Sequence, residues 1–483
     1  MARNTSSASF VKAKATSSSL APFLAAATLA AATTVAIVVP LTTHAQDTTL
    51  GGFGETQLQQ NTGDSVQRTC GGFVASGADP SIPLFATCRA MVHTANDLAD
   101  NGGPSRDSLG LTSDELAASL QQIATEEFAA TSSMASEMTH TRLDPVVNRL
   151  IELRNGARGF SVAGLYPENE DESIAQTGWQ ALGGAAAGGE PGGPLGGFAN
   201  INYGTGDRDS TSRTDQFDYD SVNLVAGLDY RVSDSFVIGF SVNYYDVSAD
   251  FGTGPTVSGG GIDTDGIGGS VYGSFYSGNF YLDLIAGIAE SNYDIERSIL
   301  IPSNTSISSI SATARAGTDS TDVTAGVGLG YNFQNGALDW GPYLRITYLS
   351  VDVDGYEESG AESVGLNLRV DGQEWESLTA TLGAQFNYAI SQDFGVIVPY
   401  VRAGFVRQFE NDSVGTTAVY IDDPRANELI AFTDDPDETY AELSIGLSAI
   451  FKGGMQGFLT YDTLIGFGDL STNVFTLGLR FEL

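Results

Sequence analysis

The sequence predicts an all-β membrane domain, a 12-stranded antiparallel transmembrane β-barrel, preceded by a helical N-terminal region. Three observations carry that expectation. From Gly196 onward apolar and polar residues alternate at period two in twelve runs, the spacing of strands whose two faces meet different surroundings. The connections between runs alternate short and long. The chain also closes on such a run, Ser471–Leu483 (STNVFTLGLRFEL), with Phe475, Leu477, Leu479, Phe481 and Leu483 on one face and Val474, Thr476, Gly478, Arg480 and Glu482 on the other. That last run alone would fit a soluble sandwich strand equally well; the connections decide.

The runs fall near 196–206, 218–231, 236–249, 264–276, 280–295, 320–333, 338–353, 376–390, 394–409, 438–451, 455–466 and 472–483. In the clearest, Leu378, Leu382, Phe386 and Tyr388 oppose Thr379, Thr381, Gln385 and Asn387. After every second run the turn is short: Ser233-Asp234, Ser277-Gly278-Asn279, Asn335-Gly336, Ser391-Gln392-Asp393 and Lys452-Gly453-Gly454. The connections after runs three, five, seven and nine are long and polar, and only the one after run eleven, Gly468 to Leu470, is brief. Short turns at one end, long loops at the other and an even strand count are the pattern of an outer-membrane barrel, with apolar side chains to lipid and polar ones to the lumen. Tyr244, Tyr293, Trp340, Tyr348 and Trp375 lie near run ends and would furnish the aromatic girdles.

Ahead of the barrel, residues 1–45 read as a secretory signal: a basic, Ser/Thr-rich start, an Ala-rich apolar stretch from Leu20 to Val39, Pro40, and the small-x-small pattern Thr43-His44-Ala45. Residues 46–106 read as a small helical head. Val66, Cys70 and Phe73, then Leu84, Phe85, Cys88, Met91, Ala95 and Leu98, recur at helical spacing around the Gly77–Pro80 break. A lone cysteine pair in an exported chain pairs by default, so Cys70 and Cys88 are expected to form a disulfide. Residues 107–160 form a further helical segment. Thr112-Ser113-Asp114-Glu115 is a capping box, and Asp144-Pro145 restarts a helix that Asn155-Gly156 stops. Arg142, Arg149, Arg154 and Arg158 make this last helix the most basic part of an acidic chain, which suits either a solvated face or a helix inside an acidic pore. Residues 161–195 are a Gly-rich linker that holds neither helix nor sheet, and residues 196–483 are the barrel.

Composition excludes several function classes. The net charge is −37, and −40 without residues 1–45, which hold Arg3, Lys12 and Lys14 and no acid. Nucleic acid, which needs a basic footprint, is not expected as a partner. Two cysteines and three histidines give no metal cluster of known spacing, and no cofactor is expected. The acids of the outer loops, Asp207, Asp209, Asp215 and Asp218 and then Asp434, Asp435, Asp437 and Glu438, could draw divalent cations, although no EF-hand spacing is present.

Residues 196–483 resemble the translocator barrel of bacterial autotransporters. The ending Thr476-x-Gly478-x-x-Phe481-x-Leu483 resembles the C-terminal signal read by the barrel-assembly machinery, with Leu where that family usually ends in Phe or Trp. The resemblance implies a monomeric barrel in outer-membrane lipid, with its loops and the N-terminal head at the cell surface. It also implies a helix through the lumen, placed here at Asp144–Arg158, with Arg149, Arg154 and Arg158 facing Glu442, Asp462, Asp229 and Asp322. The head lacks β-helix repeats and is similar to small autotransporter-domain proteins with a two-cysteine helical region. The function so implied is anchoring, and secretion or display, of that region. The alternatives are a porin-like channel with a periplasmic head and an esterase built on Gly63-Asp64-Ser65. The latter lacks a base with an Asp-x-x-His, so no enzyme is expected.

Overall fold

The computed structural model describes residues 49–101, 105–124, 145–151, 153, 194–254, 259–410, 415–434, 437–451 and 455–482. Residues 1–45, expected to be a signal, nearly all of the expected linker, and Arg154, Arg158, Asp435 and Leu483 lie outside them. Twelve staves close into one ring: 1, Leu195–Arg208; 2, Phe217–Ser233; 3, Phe236–Phe251; 4, Gly260–Ser277; 5, Phe280–Ile301; 6, Ile310–Tyr331; 7, Leu338–Val353; 8, Gln373–Tyr388; 9, Gly395–Gln408; 10, Thr439–Phe451; 11, Gln456–Ile465; and 12, Leu470–Glu482. Two three-residue strands, Phe333–Asn335 and Ile390–Gln392, continue staves 6 and 8. Every neighbouring pair is antiparallel, and stave 12 closes on stave 1 from Gly196↔Glu482 to Arg208↔Leu470. Closure leaves no strand edge bare, as lipid demands.

The burial pattern is inside-out. On stave 12, Phe475, Leu477 and Leu479 are exposed (46, 57 and 54 %), whereas Thr476 and Arg480 are buried. The lumen wall is polar, with Asn202, Asn223, Ser241, Thr381, Thr460 and Arg402 all buried. A soluble sandwich would bury the opposite set.

Staves 1 to 6 are longer than the runs, whereas staves 9, 10 and 11 are one or two residues shorter. The hairpin of staves 5 and 6 continues to Ile301↔Ile310, beyond the sequence-derived ends at 295 and 320. Stave 5 has 22 residues, about 70 Å of strand, or about 55 Å of height at the usual tilt, against an apolar belt of about 25 Å. Both faces change character part-way. On stave 3 the outward Ile238, Phe240, Val242 and Tyr244 give way to Asp246 and Asp250, while the inward Ser241 and Asn243 give way to buried Tyr245, Val247, Ala249 and Phe251. Stave 2 does the same, from Leu224 and Val222 to Asp220 and Asp218 outside, and from Asn223 and Ser221 to Tyr219 and Phe217 inside. So does stave 5, where Ile288 yields to Glu290 and Asp294 outside and Ser291 yields to Tyr293 and Ile295 inside. Below the switch the wall faces lipid. Above it the wall faces water and surrounds an apolar cup.

A second regularity lies along the lumen. An aromatic ring on one stave lies across a glycine directly opposite on its neighbour: Phe198/Gly227, Tyr219/Gly206, Tyr272/Gly239, Tyr245/Gly266, Tyr281/Gly330, Tyr343/Gly383, Tyr400/Gly446 and Phe458/Gly478. A Cβ at any of these glycines would stand 2.1–2.5 Å from the ring. All eight pairs lie within hairpins joined at the loop end, and each of the six such hairpins has at least one.

The head fills the cup. Helix α1 (Gln57–Ser76) starts at a Thr56/Gln59 capping box and ends at Gly77, whose φ of 65° suits glycine. Helix α2 (Pro83–Leu98) opens with proline at its first turn, and α3 (Ser113–Gln121) with the Thr112/Glu115 box. The Glu115 carboxyl is held below its usual range by the Thr112 backbone N–H. A disulfide joins Cys70 and Cys88 across α1 and α2, with Cα atoms 5.7 Å apart, and the Phe73 and Phe85 rings stack at 5.1 Å. The boundary drawn from sequence at 106/107 groups α3 with the lumen segment; in the structure Leu109, Leu111, Leu116, Leu120 and Ile123 share a core with α1 and α2. Long-range packing decides that grouping.

Candidate functional site

Two places combine unusual chemistry with position: the lumen at the turn end and the cup at the loop end. Residues 145–151 form a helix in the lumen. Its width, about 10–12 Å, suits a barrel between the filled eight-stranded and open sixteen-stranded cases. Val146, Leu150 and Leu153 are buried among Phe198, Val225, Val237, Tyr272, Tyr276 and Tyr281. These wall residues lie towards the short-turn ends of staves 1 to 5. Arg149 Nε donates to Asp229 Oδ2 at 2.7 Å, Nη2 donates to the same oxygen, and the guanidinium lies 5.3 Å from the centre of the Phe198 ring. Almost across the ring, on stave 9, Arg402 Nη1 donates to Asn148 Oδ1 at 3.0 Å. The helix thus touches both sides of the lumen.

Of the four acids expected to face the basic helix, Asp229 takes Arg149. Glu442 is held by the barrel itself, accepting from Arg345 Nη2 at 2.7 Å and the Tyr343 hydroxyl at 2.9 Å. Asp462 lies 3.6 Å from Arg402. Asp322 is wholly buried and accepts from Ser320 Oγ at 3.2 Å. The lumenal arginines 345 and 402 were the signal sequence reading passed over. Both sit on the polar face of their runs, where a cation must find a partner. Arg154 and Arg158 lie outside the described residues.

In the terminal stave, Thr476 faces the lumen, and Gly478 lets the Phe458 ring cross it while leaving Asn200 Oδ1 room. The Phe481 side chain and Leu483 lie outside the described residues. Three of the outer-loop acids have partners within the chain. Asp434 accepts from Arg208 Nη2 at 2.8 Å and from the hydroxyls of Thr211 and Thr214, Glu438 pairs with Arg407 at 2.7 Å, and Asp437 accepts from the Gly468 N–H. Among the described residues no group of three or more acid, His or Cys side chains could hold a metal ion. Ser65 is wholly buried inside α1, no place for a nucleophile. His93 is on the surface of α2, 4.0 Å from Asp107.

At the cup, Leu84, Met91, Leu116 and Leu120 of the head form one core with Tyr219, Tyr245, Tyr293 and Val351 of the wall. The long loops add a small sheet from Tyr356–Glu357, Leu368–Val370, Gly415–Tyr420 and Leu429–Phe432, where the sequence predicts only polar loops. Polar contacts fix the register. Thr69 Oγ1 donates to Asp423 Oδ2 at 2.8 Å, Thr87 Oγ1 donates to the Val364 carbonyl at 2.8 Å, and the Leu300 N–H donates to Gln122 Oε1 at 2.7 Å. Arg297 and Glu358 form a buried pair, 1 % and 2 % exposed, with Nε–Oε1 at 2.9 Å and Nη2–Oε2 at 2.6 Å, tying stave 5 to this sheet. The Tyr420 hydroxyl donates to the Ile123 carbonyl at 3.2 Å. Burial pushes its ionisation above the ordinary tyrosine range, with Arg297 opposing and Glu358 and Asp423 adding to the shift. These partners lie 61 to 354 positions apart, so no local pattern announces them.

Comparison with known proteins agrees with this geometry. No curated protein matches the chain in sequence. Among solved structures it is similar to the translocator domain of the autotransporter NalP from Neisseria meningitidis, with 13 % identity, TM-score 0.50, and 74 % of this chain and 98 % of that one covered. The β domain of the Bordetella autotransporter BrkA matches at 17 % identity and TM-score 0.42, covering 60 % of this chain and 99 % of that one. The transport unit of AIDA-I from Escherichia coli matches at 11 % identity and TM-score 0.42, covering 67 % and 95 %. The Autotransporter beta-domain family matches residues 197–462. With its closed twelve-stave barrel, lipid-facing apolar belt and polar lumen, the chain belongs to the Autotransporter beta-domain family and resides in the bacterial outer membrane.

Proposed function

We propose that this barrel carries its own N-terminal helical region to the cell surface and keeps it there as a docked cap, rather than serving as a porin or an esterase. The observation that carries this reading is the shared apolar core between the head and the inward faces of the staves above the lipid belt. Such a cup, unfilled, would expose a large apolar patch to water; the head is the part of the same chain that matches it. The short turns face the periplasm and the loop end faces outward, so a head seated in the cup is a displayed one. The lumen helix, anchored by Arg149 on Asp229, is then the segment left behind in the pore. In this reading residues 1–45 direct export, and Thr476, Gly478, Phe481 and Leu483 address the barrel to the assembly machinery.

An epitope placed in the exposed turn after Gly77 tests display directly. Antibody should label it on intact cells. Labelling only after the outer membrane is permeabilised would overturn the reading.

A further inference from the structure

We infer that the lumen is sealed twice, by the lumen helix at the turn end and by the head at the loop end, so that this barrel conducts ions only when both are withdrawn together. Three layers along the pore support this. At the turn end, Val146, Leu150 and Leu153 pack into a buried, largely aromatic cluster with wall residues of staves 1 to 5 and Tyr343 of stave 7, and Arg149–Asp229 and Asn148–Arg402 pin the helix to two sides of the wall. At the loop end, the wall's inward Tyr219, Tyr245 and Tyr293 are fully packed against the core of α1, α2 and α3. A close-packed apolar layer of this kind holds no continuous water. Between the two runs a polar band on staves 1 to 3: Asn200, Asn202, Ser221, Ser241 and Asn243.

The inner stopper alone would suffice to stop a current. The second is not redundant, because the two stoppers rest on different contacts and face opposite sides of the membrane. A stress that reaches only one side leaves the other seal intact. The inference rests on the head's position at the loop end. Surface labelling tests that position and conductance tests the seal, so either can fail alone.

The test uses the full-length chain in planar bilayers. The inner variant is Arg149→Glu with Leu150→Asp, which sets a carboxylate against Asp229 and a charge in the apolar cluster. The outer variant is Leu84→Asp, at a residue packed against Gly365. Either alone should stay shut, and the combined variant should show steady conductance steps. Steady conductance from either single variant at the level of the combined one would overturn the inference, as would a shut combined variant that retains a heat-modifiable barrel. A second arm avoids dependence on the outer substitution. Urea added only on the loop side, at a concentration that releases the head but leaves the barrel folded, should open the inner variant and leave the unsubstituted chain closed. Opening of the unsubstituted chain, or no opening of the inner variant, would count against two seals.

Discussion

Arg149 and Asp229 meet inside the barrel, Nε to Oδ2 at 2.7 Å, with 2 % and 5 % of their side chains exposed. Removing one partner strands a charge away from water, at a cost of about 3–5 kcal/mol, whereas removing both costs much less. Arg149→Ala and Asp229→Ala should each lower the urea midpoint of the heat-modifiable barrel, and the double variant should recover most of the loss. Additive losses would mean that the two side chains do not act as a pair.

Gly478 faces Phe458, and an added Cβ would stand 2.1 Å from the ring's Cζ. Overpacking of this kind costs about 1–3 kcal/mol. Gly478→Ala should reduce the fraction of chain that refolds into the heat-modifiable form, and Phe458→Ala in the same chain should restore it. A Gly478→Ala variant that refolds as well as the parent would show that the ring has room to move.

The change of face along stave 3 separates two kinds of damage. Phe240 points at lipid and Val247, above the switch, points into the cup. Phe240→Asp places a carboxylate on the lipid face and should reduce membrane assembly, a penalty of about 2–4 kcal/mol at mid-depth for the costliest charges and less for acids. Val247→Asp should leave assembly intact and instead make the head sensitive to added protease. Equal assembly defects from the two would remove the boundary drawn between Tyr244 and Tyr245.

Tyr420 gives the cap a dependence on alkaline pH. Its hydroxyl, buried and donating to the Ile123 carbonyl, ionises less readily than an ordinary tyrosine, so a state that keeps it buried holds its proton more tightly than one that exposes it. Docking stability from this residue is therefore fully present below the free tyrosine value, about pH 10, and declines as pH rises through and beyond it. Protease sensitivity of the head should rise above about pH 10, and Tyr420→Phe should flatten that rise. An unchanged profile in Tyr420→Phe would assign the effect elsewhere.

Much of the barrel is readable from local pattern because lipid and lumen impose opposite preferences on alternate residues. The lipid-facing Leu477 and Leu479, and the turns at Gly278 and Gly336 with positive φ, follow from that. The failures have two causes. Where stave 5 leaves the membrane, Ile295, Ile299 and Ile301 turn inward and acids turn outward. A reading that assumes one pair of environments stops at that exchange. The contacts that seat the head, such as Thr69 with Asp423, link positions 354 residues apart and depend on which surfaces remain apolar after the barrel closes. Arg149 was identified by its charge, but its choice of Asp229 among four acids depended on Arg345 and Arg402 occupying two of the others.

The ring-over-glycine contacts have a consequence for how such a barrel can change size. Each of the eight joins the two arms of a hairpin whose loop points outward, and none is needed to join one hairpin to the next. The clasp travels with the hairpin. A duplication or deletion of one hairpin keeps every surviving ring over its own glycine, while loss of a single arm leaves a ring with nothing to cover or a glycine with nothing above it. The wall is thus six prefabricated panels, and the fold can grow or shrink only by whole panels.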